Sequence, residues 1–398
     1  MKSGWPSKTL GEVCEFRGGG TPPKAVKRFW EGSIPWVSPK DMKCEVISDS
    51  FDHISLEAVE SSATSLIPKD SVLMVVRSGI LNRTVPIAIT ERELTINQDI
   101  KALCPKGVID ARFLYFLLHS KMNLLLSKVS KGATVHRLMT EDIRCLEFIL
   151  PPLNEQKRIS DILGKAFDGI ATAKANAEKN LQNARALFEA YLQSVFTQEN
   201  EGWLETTIGQ HIRFIDYRGK TPQKTGNGLR LITAKNVKMG YVQETPMEFV
   251  APNTYDSWMT RGIPRRGDVL FTTEAPLANV AQLETDDKVV FAQRIIIMQP
   301  DATKLDSTFL KYLLLSQPVQ HRIRTKGTGA TVQGIKASLL KTIEISFPPS
   351  LTMQRKIVKK LNSLHEETQR LESIYRRKIA ALDELKKSLL HKAFTGEL

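Results

Sequence analysis

The sequence lacks the patterns that mark secreted, membrane-spanning or zinc-binding proteins. Cysteine is scarce, with 4 among 398 residues, and no two cysteines have CxxC spacing, so we expect free thiols buried in a reducing compartment. No apolar run approaches the ~18 residues that span a bilayer, and the first residues do not form a secretory signal. The 7 histidines are scattered without metal-ligand spacing. These absences predict a cytoplasmic protein without a metal site. The cysteines are Cys14, Cys44, Cys104 and Cys145.

Complete catalytic motifs are also missing, although three kinds of fragment resemble them. Gly219-Lys220-Thr221 matches the end of a phosphate-binding loop, but Phe214 occupies the place of its opening glycine. The turn Arg17-Gly-Gly-Gly lacks the GxGxxG spacing of a dinucleotide site. Acidic-x-Lys pairs, as in some nucleases, occur at Glu155-Gln-Lys157 and Glu384-Leu-Lys386, where the pattern is helical, so we interpret them as solvated helix charges. The chain is therefore expected to be a binding protein without catalytic residues or a cofactor.

Composition and charge are those of a folded, basic protein. Hydrophobic residues make up 41% and charged residues 25%, and the length suits two domains with connecting elements. Lys and Arg outnumber Asp and Glu by 56 to 43, a net charge of +13. The surplus is +3 in residues 1–150, zero in 151–200, +5 in 201–347 and +5 in 348–398. Basic patches on folded surfaces follow, and they favour a polyanionic partner.

The second half of the chain repeats the first at an offset of about 195–200 residues, which is too long for a solenoid repeat. Each copy is therefore a domain followed by an appendage. The matching segments include Trp5 with Leu10-Gly11 and Trp203 with Ile208-Gly209, Arg17–Lys24 and Tyr217–Lys224, Gly132–Val135 and Gly329–Val332, Pro151-Pro152 and Pro348-Pro349, and Gln156–Ile159 and Gln354–Ile357.

Each copy changes texture once, at its Pro-Pro pair. The first part has short β-rich runs punctuated by Gly, Pro and Asp, and one apolar helical stretch, Ala111–Leu126 or Ser307–Ile323, which predicts a mixed α+β domain. After Pro-Pro, apolar residues recur by threes and fours for about 40 residues, as in a coiled coil. The predicted seam of the second helix includes Leu382, Leu385 and Leu389, and its positions expected to be imperfect are Thr368 and Lys378. The predicted segments are domains at 1–150 and 201–347 and helices within 151–200 and 348–398.

Several of these motifs resemble those of the specificity subunits of type I restriction–modification systems. They are Trp-x-x-x-x-Leu-Gly, the Gly-rich Thr-Pro turn, Gly-Ala-Thr-Val, Pro-Pro-Leu-x-Glu-Gln-Lys-Arg-Ile and Phe-Thr-Gly-Glu-Leu. Their order and duplication carry the resemblance, which extends over the whole chain. The second copy departs at Leu351-Thr-Met-Gln354, where an acidic residue would usually precede the glutamine. That departure concerns only the start of the local helix.

The resemblance implies a fold, a function and partners. The fold would be α+β: two target-recognition domains, each followed by a long helix, with the two helices in an antiparallel coiled coil of pseudo-twofold symmetry. The chain would read double-stranded DNA as two short elements separated by a fixed gap. It would dock two adenine-N6 methyltransferase subunits, which use S-adenosylmethionine, and restriction subunits, which use ATP and Mg²⁺.

The repeat also sorts candidate DNA contacts, because residues alike in both copies cannot distinguish two half-sites, whereas unlike residues at the same loops can. The shared pairs, which should build the fold or hold phosphates, are Thr21 and Thr221, Lys24 and Lys224, Lys40 and Lys235, and Thr134 and Thr331. The turn residues Arg17, Arg218 and Lys220 are further candidates for DNA contact. Candidates for base contact are Arg77, Ser78, Asn82, Arg83, His136 and Arg137 in copy one and Thr273, Glu274, Asn279, Gln333 and Lys336 in copy two. The Gly-Thr-Pro segments could equally be plain tight turns, and each single candidate could be an ordinary surface residue.

Two other functions remain open from the residues alone. A helical scaffold that joins proteins without binding DNA has the same spacer pattern. The recognition part of a fused restriction–methylation enzyme has the same domains, although a catalytic domain would then be expected.

Overall fold

A computed structural model describes residues 5–132, 135–197, 201–217, 222–329 and 333–398. The chain divides into unit 1, Met1–Glu178 with Arg377–Leu398, and unit 2, Lys179–Arg376. Within the described residues, no helix has the length and apolar character that crossing a membrane requires.

Unit 1 is built on short strands, and its core strands are almost wholly apolar; Val72–Val75, for example, is buried throughout. The strands are β1 (Ser7–Thr9), β2 (Cys14–Gly18), β3 (Ile34–Val37), β4 (Val46–Ile47), β5 (Asp52–Ile54), β6 (Val72–Val75), β7 (Arg77–Ser78), β8 (Ile87–Thr90), β9 (Thr95–Ile96), β10 (Ile100–Pro105), β11 (His136–Arg137) and β12 (Glu147–Ile149). They form a five-stranded sheet in the order β2-β10-β6-β8-β4, a three-stranded sheet β5-β3-β9, and the pairs β1-β12 and β11-β7. The helices are α1 (Leu10–Val13), α2 (Leu56–Glu60), α3 (Ala111–Ser120), α4 (Met122–Ser127), α5 (Thr140–Arg144) and the start of α6 (Leu153–Thr197).

The strands of unit 2 are β13 (Leu204–Thr207), β14 (Ile212–Asp216), β15 (Lys224–Thr225), β16 (Leu229–Ile232), β17 (Glu248–Val250), β18 (Val269–Thr272), β19 (Val280–Gln282), β20 (Val289–Phe291), β21 (Ile295–Pro300) and β22 (Glu344–Phe347). They form two four-stranded sheets, β14-β21-β18-β19 and β15-β17-β16-β20, and the pair β13-β22. The helices are α7 (Ile208–His211), α8 (Tyr255–Trp258), α9 (Ser307–Leu315), α10 (Gln317–Lys326), α11 (Ala337–Lys341) and the start of α12 (Leu351–Thr395). Both units are mixed α/β domains followed by a long helix, as predicted.

The predicted apolar helix of each copy is broken in two. In unit 1 the break falls at Lys121, between α3 and α4, and in unit 2 at Ser316, between α9 and α10. Asp110 and Asp306 begin α3 and α9 in the same way, because each side chain accepts two backbone N–H groups of the first turn.

A buried glutamine attaches each long helix to its domain. Gln156 is fully buried; its Oε1 accepts the Asp110 N–H at 2.8 Å, and its Nε2 donates to the carbonyls of Val108 at 3.0 Å and Pro151 at 2.8 Å. Gln354, also fully buried, makes the same three contacts in unit 2: it accepts from Asp306 at 2.8 Å and donates to Lys304 at 2.8 Å and Pro348 at 2.7 Å. The repeated Pro-Pro and Gln motifs therefore place the domain on its helix.

The two long helices run antiparallel within each unit. In unit 1, Lys174 of α6 pairs with Asp383 of α12 at 2.7 Å, and Lys386 lies 4.5 Å from the ring centroid of Phe167, which precedes Lys174. In unit 2, Arg185 of α6 pairs with Glu372 of α12 at 3.0 Å, and the ring centroid of Phe188 on α6 lies 5.0 Å from that of His365 on α12. In each unit, therefore, rising residue numbers on one helix meet falling numbers on the other, as the resemblance implied.

The seam of the helix pair differs in detail from the predicted one. Thr368 is buried, and its hydroxyl lies 3.5 Å from the carbonyl oxygen of Ala184, which it can donate to. Lys378 is exposed and Ile379 is half-buried instead, whereas Leu385, a predicted seam residue, is 47% exposed. A straight α-helix drifts against a strict seven-residue repeat, so the buried positions depart from that repeat at Lys378 and Leu385.

The expectation of four buried thiols is wrong for two of them. Cys14 and Cys104 are buried in unit 1 beside the β2–β10 ladder, and burial raises the pKa of both thiols. Cys44 and Cys145 are exposed, because they lie outside the sheets, one before β4 and the other after α5.

Candidate nucleic-acid interface

In unit 1 the fold brings together two segments predicted to read bases. Strand β7 pairs with β11, so that Ser78 faces His136 and Arg77 faces Arg137. The ladder continues as the Leu138 N–H donates to the Val76 carbonyl at 2.9 Å. These residues are about 60 apart in sequence, yet they form one small polar surface at the end of the main sheet.

Unit 2 joins the corresponding segments in the same way. Glu274 forms an antiparallel bridge with Gly334, and the Ile335 N–H donates to the Thr273 carbonyl at 2.9 Å. Gln333, next to this bridge, is exposed. Equivalent loops of the two units therefore meet on equivalent strand ends, but they carry different side chains.

An ion pair lies beside this junction in each unit, and its polarity is reversed between them. In unit 1, Arg77 Nε donates to Asp99 Oδ1 at 2.5 Å. In unit 2, Arg294 Nε lies 2.7 Å from Glu274 Oε1. Sequence reasoning missed Asp99 and Arg294. Aligning β10 and β21 at their first isoleucines would have found them, since each residue immediately precedes its strand.

The Gly-rich turn of unit 1 packs against the segment that carries Asp99. A Cβ atom on Gly19 would lie only 1.9 Å from the Ile96 carbonyl oxygen, so this close approach requires glycine. The Gly20 N–H donates to the same carbonyl at 3.1 Å, so this amide is engaged within the protein. Thr21 Oγ1 donates to Gln98 Oε1 at 2.6 Å. The Gly-Thr part of this turn therefore buttresses the junction.

The shared lysines lie in matching turns. The Ser38 N–H donates to Asp41 Oδ2 at 2.8 Å, and the Thr233 N–H donates to Asn236 Oδ1 at 3.0 Å; Lys40 precedes the first acceptor residue and Lys235 the second. Lys235 is exposed, and Lys40 pairs with Asp52 at 2.7 Å.

The remaining sequence candidates fall into three groups. Exposed ones are Lys24, Asn82, Arg83, Arg137, Lys224, Gln333 and Lys336, with Lys224 paired to Glu248 at 2.8 Å. Those used inside the fold are Arg17, paired with Glu15 at 2.9 Å, Thr273, which is 3% exposed, and Asn279, whose amide donates to the Val237 carbonyl at 2.8 Å. Those outside the described residues are Thr134, Arg218, Lys220, Thr221 and Thr331.

Comparisons with known proteins agree with these features. The model of the type I restriction modification DNA specificity domain matches residues 2–182 and 259–379. The EcoR124I/EcoR124II specificity subunit of Escherichia coli is 41% identical over 168 residues, which are 42% of this chain and 41% of that protein. The MjaIX specificity subunit of Methanocaldococcus jannaschii is 27% identical over 257 residues, 60% of this chain and 57% of that protein. The aligned part of the chain thus spans about half the length of these two relatives.

A solved structure extends the likeness to the whole fold. A chain from a study of complex assembly and conformational transition of the type I R-M system superposes with a TM-score of 0.78 at 19% identity, covering 100% of this chain and 99% of that one. The family model itself matches well over half of the residues. The chain therefore belongs to the type I restriction–modification DNA specificity domain family.

Proposed function

We propose that the chain is the DNA-recognition subunit of a type I restriction–modification complex and that each unit reads one half of a bipartite target. The observation that carries the proposal is the pair of matching loop junctions. Both units have the same glutamine attachment and the same strand-end pairing, but unlike side chains stand at the junction. A common framework with different side chains is what two different half-sites require.

In this proposal, residues 1–150 and 201–347 are the recognition domains, and α6 and α12 are the spacer. Lys40 and Lys235, held in matching turns, contact phosphates, while Ser78 and His136 in unit 1 and Gln333 in unit 2 contact base edges. The net charge of +13 supports a polyanionic ligand. Phosphate contacts hold the duplex in place, and base contacts select its sequence.

The chemistry is proposed to belong to partner subunits that dock on this chain in the cytoplasm: methyltransferase subunits with S-adenosylmethionine and restriction subunits with ATP and Mg²⁺. The chain by itself then neither methylates nor cuts DNA. Incubation of the purified chain with duplex, S-adenosylmethionine, ATP and Mg²⁺ should yield no methylated or cleaved product. Turnover by a preparation free of partner subunits would contradict this assignment.

An exchange experiment tests the bipartite reading. Residues 1–150 are replaced by the corresponding domain of another family member, and the complex with methyltransferase subunits is used to select duplexes from a randomised library. The expected result is a new first half-site with an unchanged second half-site and gap. If both halves change together, the units do not read independently. If the unaltered complex selects no sequence at all, DNA recognition itself is refuted, and a helical scaffold becomes the better description.

A further inference from the structure

The reversed ion pairs occupy one and the same place in the two units. In unit 1, β10 pairs with β6 so that Ile100 faces Val75, and the Val76 N–H donates to the Asp99 carbonyl at 2.8 Å. In unit 2, β21 pairs with β18 so that Ile295 faces Thr272, and the Thr273 N–H donates to the Arg294 carbonyl at 2.9 Å. The residue after Val76 is Arg77, and the residue after Thr273 is Glu274. Each forms an ion pair with the residue immediately before the neighbouring strand, Asp99 before β10 or Arg294 before β21.

Stability alone is a weak reason for these pairs. The side chains of Arg77 and Asp99 are 38% and 22% exposed, and those of Arg294 and Glu274 are 47% and 41% exposed. Ion pairs with this much solvent contact add little to folding stability. Arg294 also has a φ of 77°, a left-handed conformation that is unfavourable for a residue with a side chain. Neither the ion pair nor the local backbone conformation therefore accounts for an arginine at this position.

The geometry of the guanidinium indicates the task. In both pairs the arginine nitrogen that meets the carboxylate is Nε. Among the described residues, the two terminal nitrogens of Arg77 make no hydrogen bond. Asp99 is held in turn, because Asn97 Nδ2 donates to its other oxygen at 3.1 Å. An arginine held through Nε presents its two terminal nitrogens as a fixed fork, which matches the O6 and N7 acceptors of guanine.

We propose that Arg77 and Arg294 each recognise a guanine, one in each half of the target, and that Asp99 and Glu274 are the positioning residues that aim them. This inference rests on the proposed function and adds two specificity-determining residues to it. Because the arginine stands on the loop after β6 in unit 1 but on the residue before β21 in unit 2, equivalent junctions would direct their forks from opposite sides of the pair.

Library selection by the full chain, assembled with its methyltransferase subunits, tests the proposal. R77K and R294K keep the charge but lose the fork; we expect each to relax one guanine position in its own half-site by roughly 5- to 150-fold and to leave the other half unchanged. D99N and E274Q keep the shape but loosen the arginine, and we expect the same position to relax to a smaller extent. R294N is a second variant suited to the positive φ, since asparagine tolerates that conformation.

The outcomes separate the inference from the function on which it rests. A uniform loss of affinity across all sequences in R77K and R294K would assign the arginines to phosphate contact or folding and overturn the inference. So would unchanged base preferences in a complex that still selects a bipartite target. Relaxation of a position that is not guanine would also refute it. If the unaltered complex selects no target, the proposed function fails first, and the inference fails with it. The unaltered half-site in each variant reports that the chain is folded and assembled.

Discussion

Replacing the buried glutamine that joins each long helix to its domain should weaken one unit at a time. The substitution Gln156→Leu keeps the volume but removes one acceptor and both donors. The Asp110 N–H and the carbonyls of Val108 and Pro151 then lose a partner in a site where the wild-type side chain is fully buried. A buried polar group without a partner costs about 1–3 kcal/mol, so we expect a loss on the order of 3–5 kcal/mol in the stability of unit 1.

Hydrogen exchange read by mass spectrometry measures this loss for each unit separately. In Q156L, amides of α3 and of the neighbouring end of α6 should exchange roughly two to three orders of magnitude faster, as 1.4 kcal/mol is a factor of ten in an opening equilibrium. Q354L should have the same effect on unit 2. Exposed Gln182 on α6 provides the control, since Q182L should change stability by less than about 0.5 kcal/mol.

The charge variant Q156E adds a test of sign. At neutral pH a buried carboxylate can accept the Asp110 N–H but cannot donate to Val108 or Pro151, so the defect should be at least as large as that of leucine. Burial raises the pKa of such a group; protonation on acidification restores one donor, and the defect should shrink as the pH falls from 7 to 5. A loss below about 1 kcal/mol in Q156L, or an equal loss in both units, would refute the idea that this glutamine attaches helix to domain.

Three further predictions follow from single features. Four residues inserted within 175–180 lengthen α6 by roughly 6 Å, about the rise of two base pairs. Methylome mapping should then show an unspecified gap that is longer by one or two base pairs. An unchanged gap in an active complex would mean that this helix does not set the gap. Burial, with a smaller effect of Lys386, lowers the pKa of His119 to about 4. As the pH falls, the unfolded chain therefore protonates this histidine before the folded chain does, and the stability of unit 1 should fall by up to about 3 kcal/mol between pH 6.5 and 4. The substitution H119F should remove this pH dependence in denaturant titrations. G19A should strongly destabilise unit 1 in melting experiments, because its Cβ would lie 1.9 Å from the Ile96 oxygen. G169A, with open space around it inside α6, should instead stabilise the protein by about 0.5–1 kcal/mol. Equal effects of the two substitutions would contradict the role of the close approach at Gly19.

Much of the architecture could be predicted from the sequence, because it depends on local patterns and on an internal repeat. The Pro-Pro pairs and the spacing by threes and fours predicted helices that the structure bounds at Leu153–Thr197 and Leu351–Thr395. The same repeat carried the resemblance to the family that the comparisons identify. Periodicity indicates which face of an element is apolar, and two copies of one motif indicate two domains.

What the tertiary structure decided are contacts between residues far apart in the chain. In the sequence Gln156 is only one residue of a motif, whereas its role in attaching the helix depends on a hydrogen bond with Asp110, 46 positions earlier. Asp99 and Arg294 belong to no sequence motif. An alignment of the two copies shows only that each precedes the same strand, and antiparallel pairing sets each beside an oppositely charged residue about 20 positions away. Periodicity specifies a face of a helix or strand, whereas the partner of a loop residue depends on strand register and loop closure. Strand register and loop closure are properties of the whole domain, so they are determined only when the chain has folded.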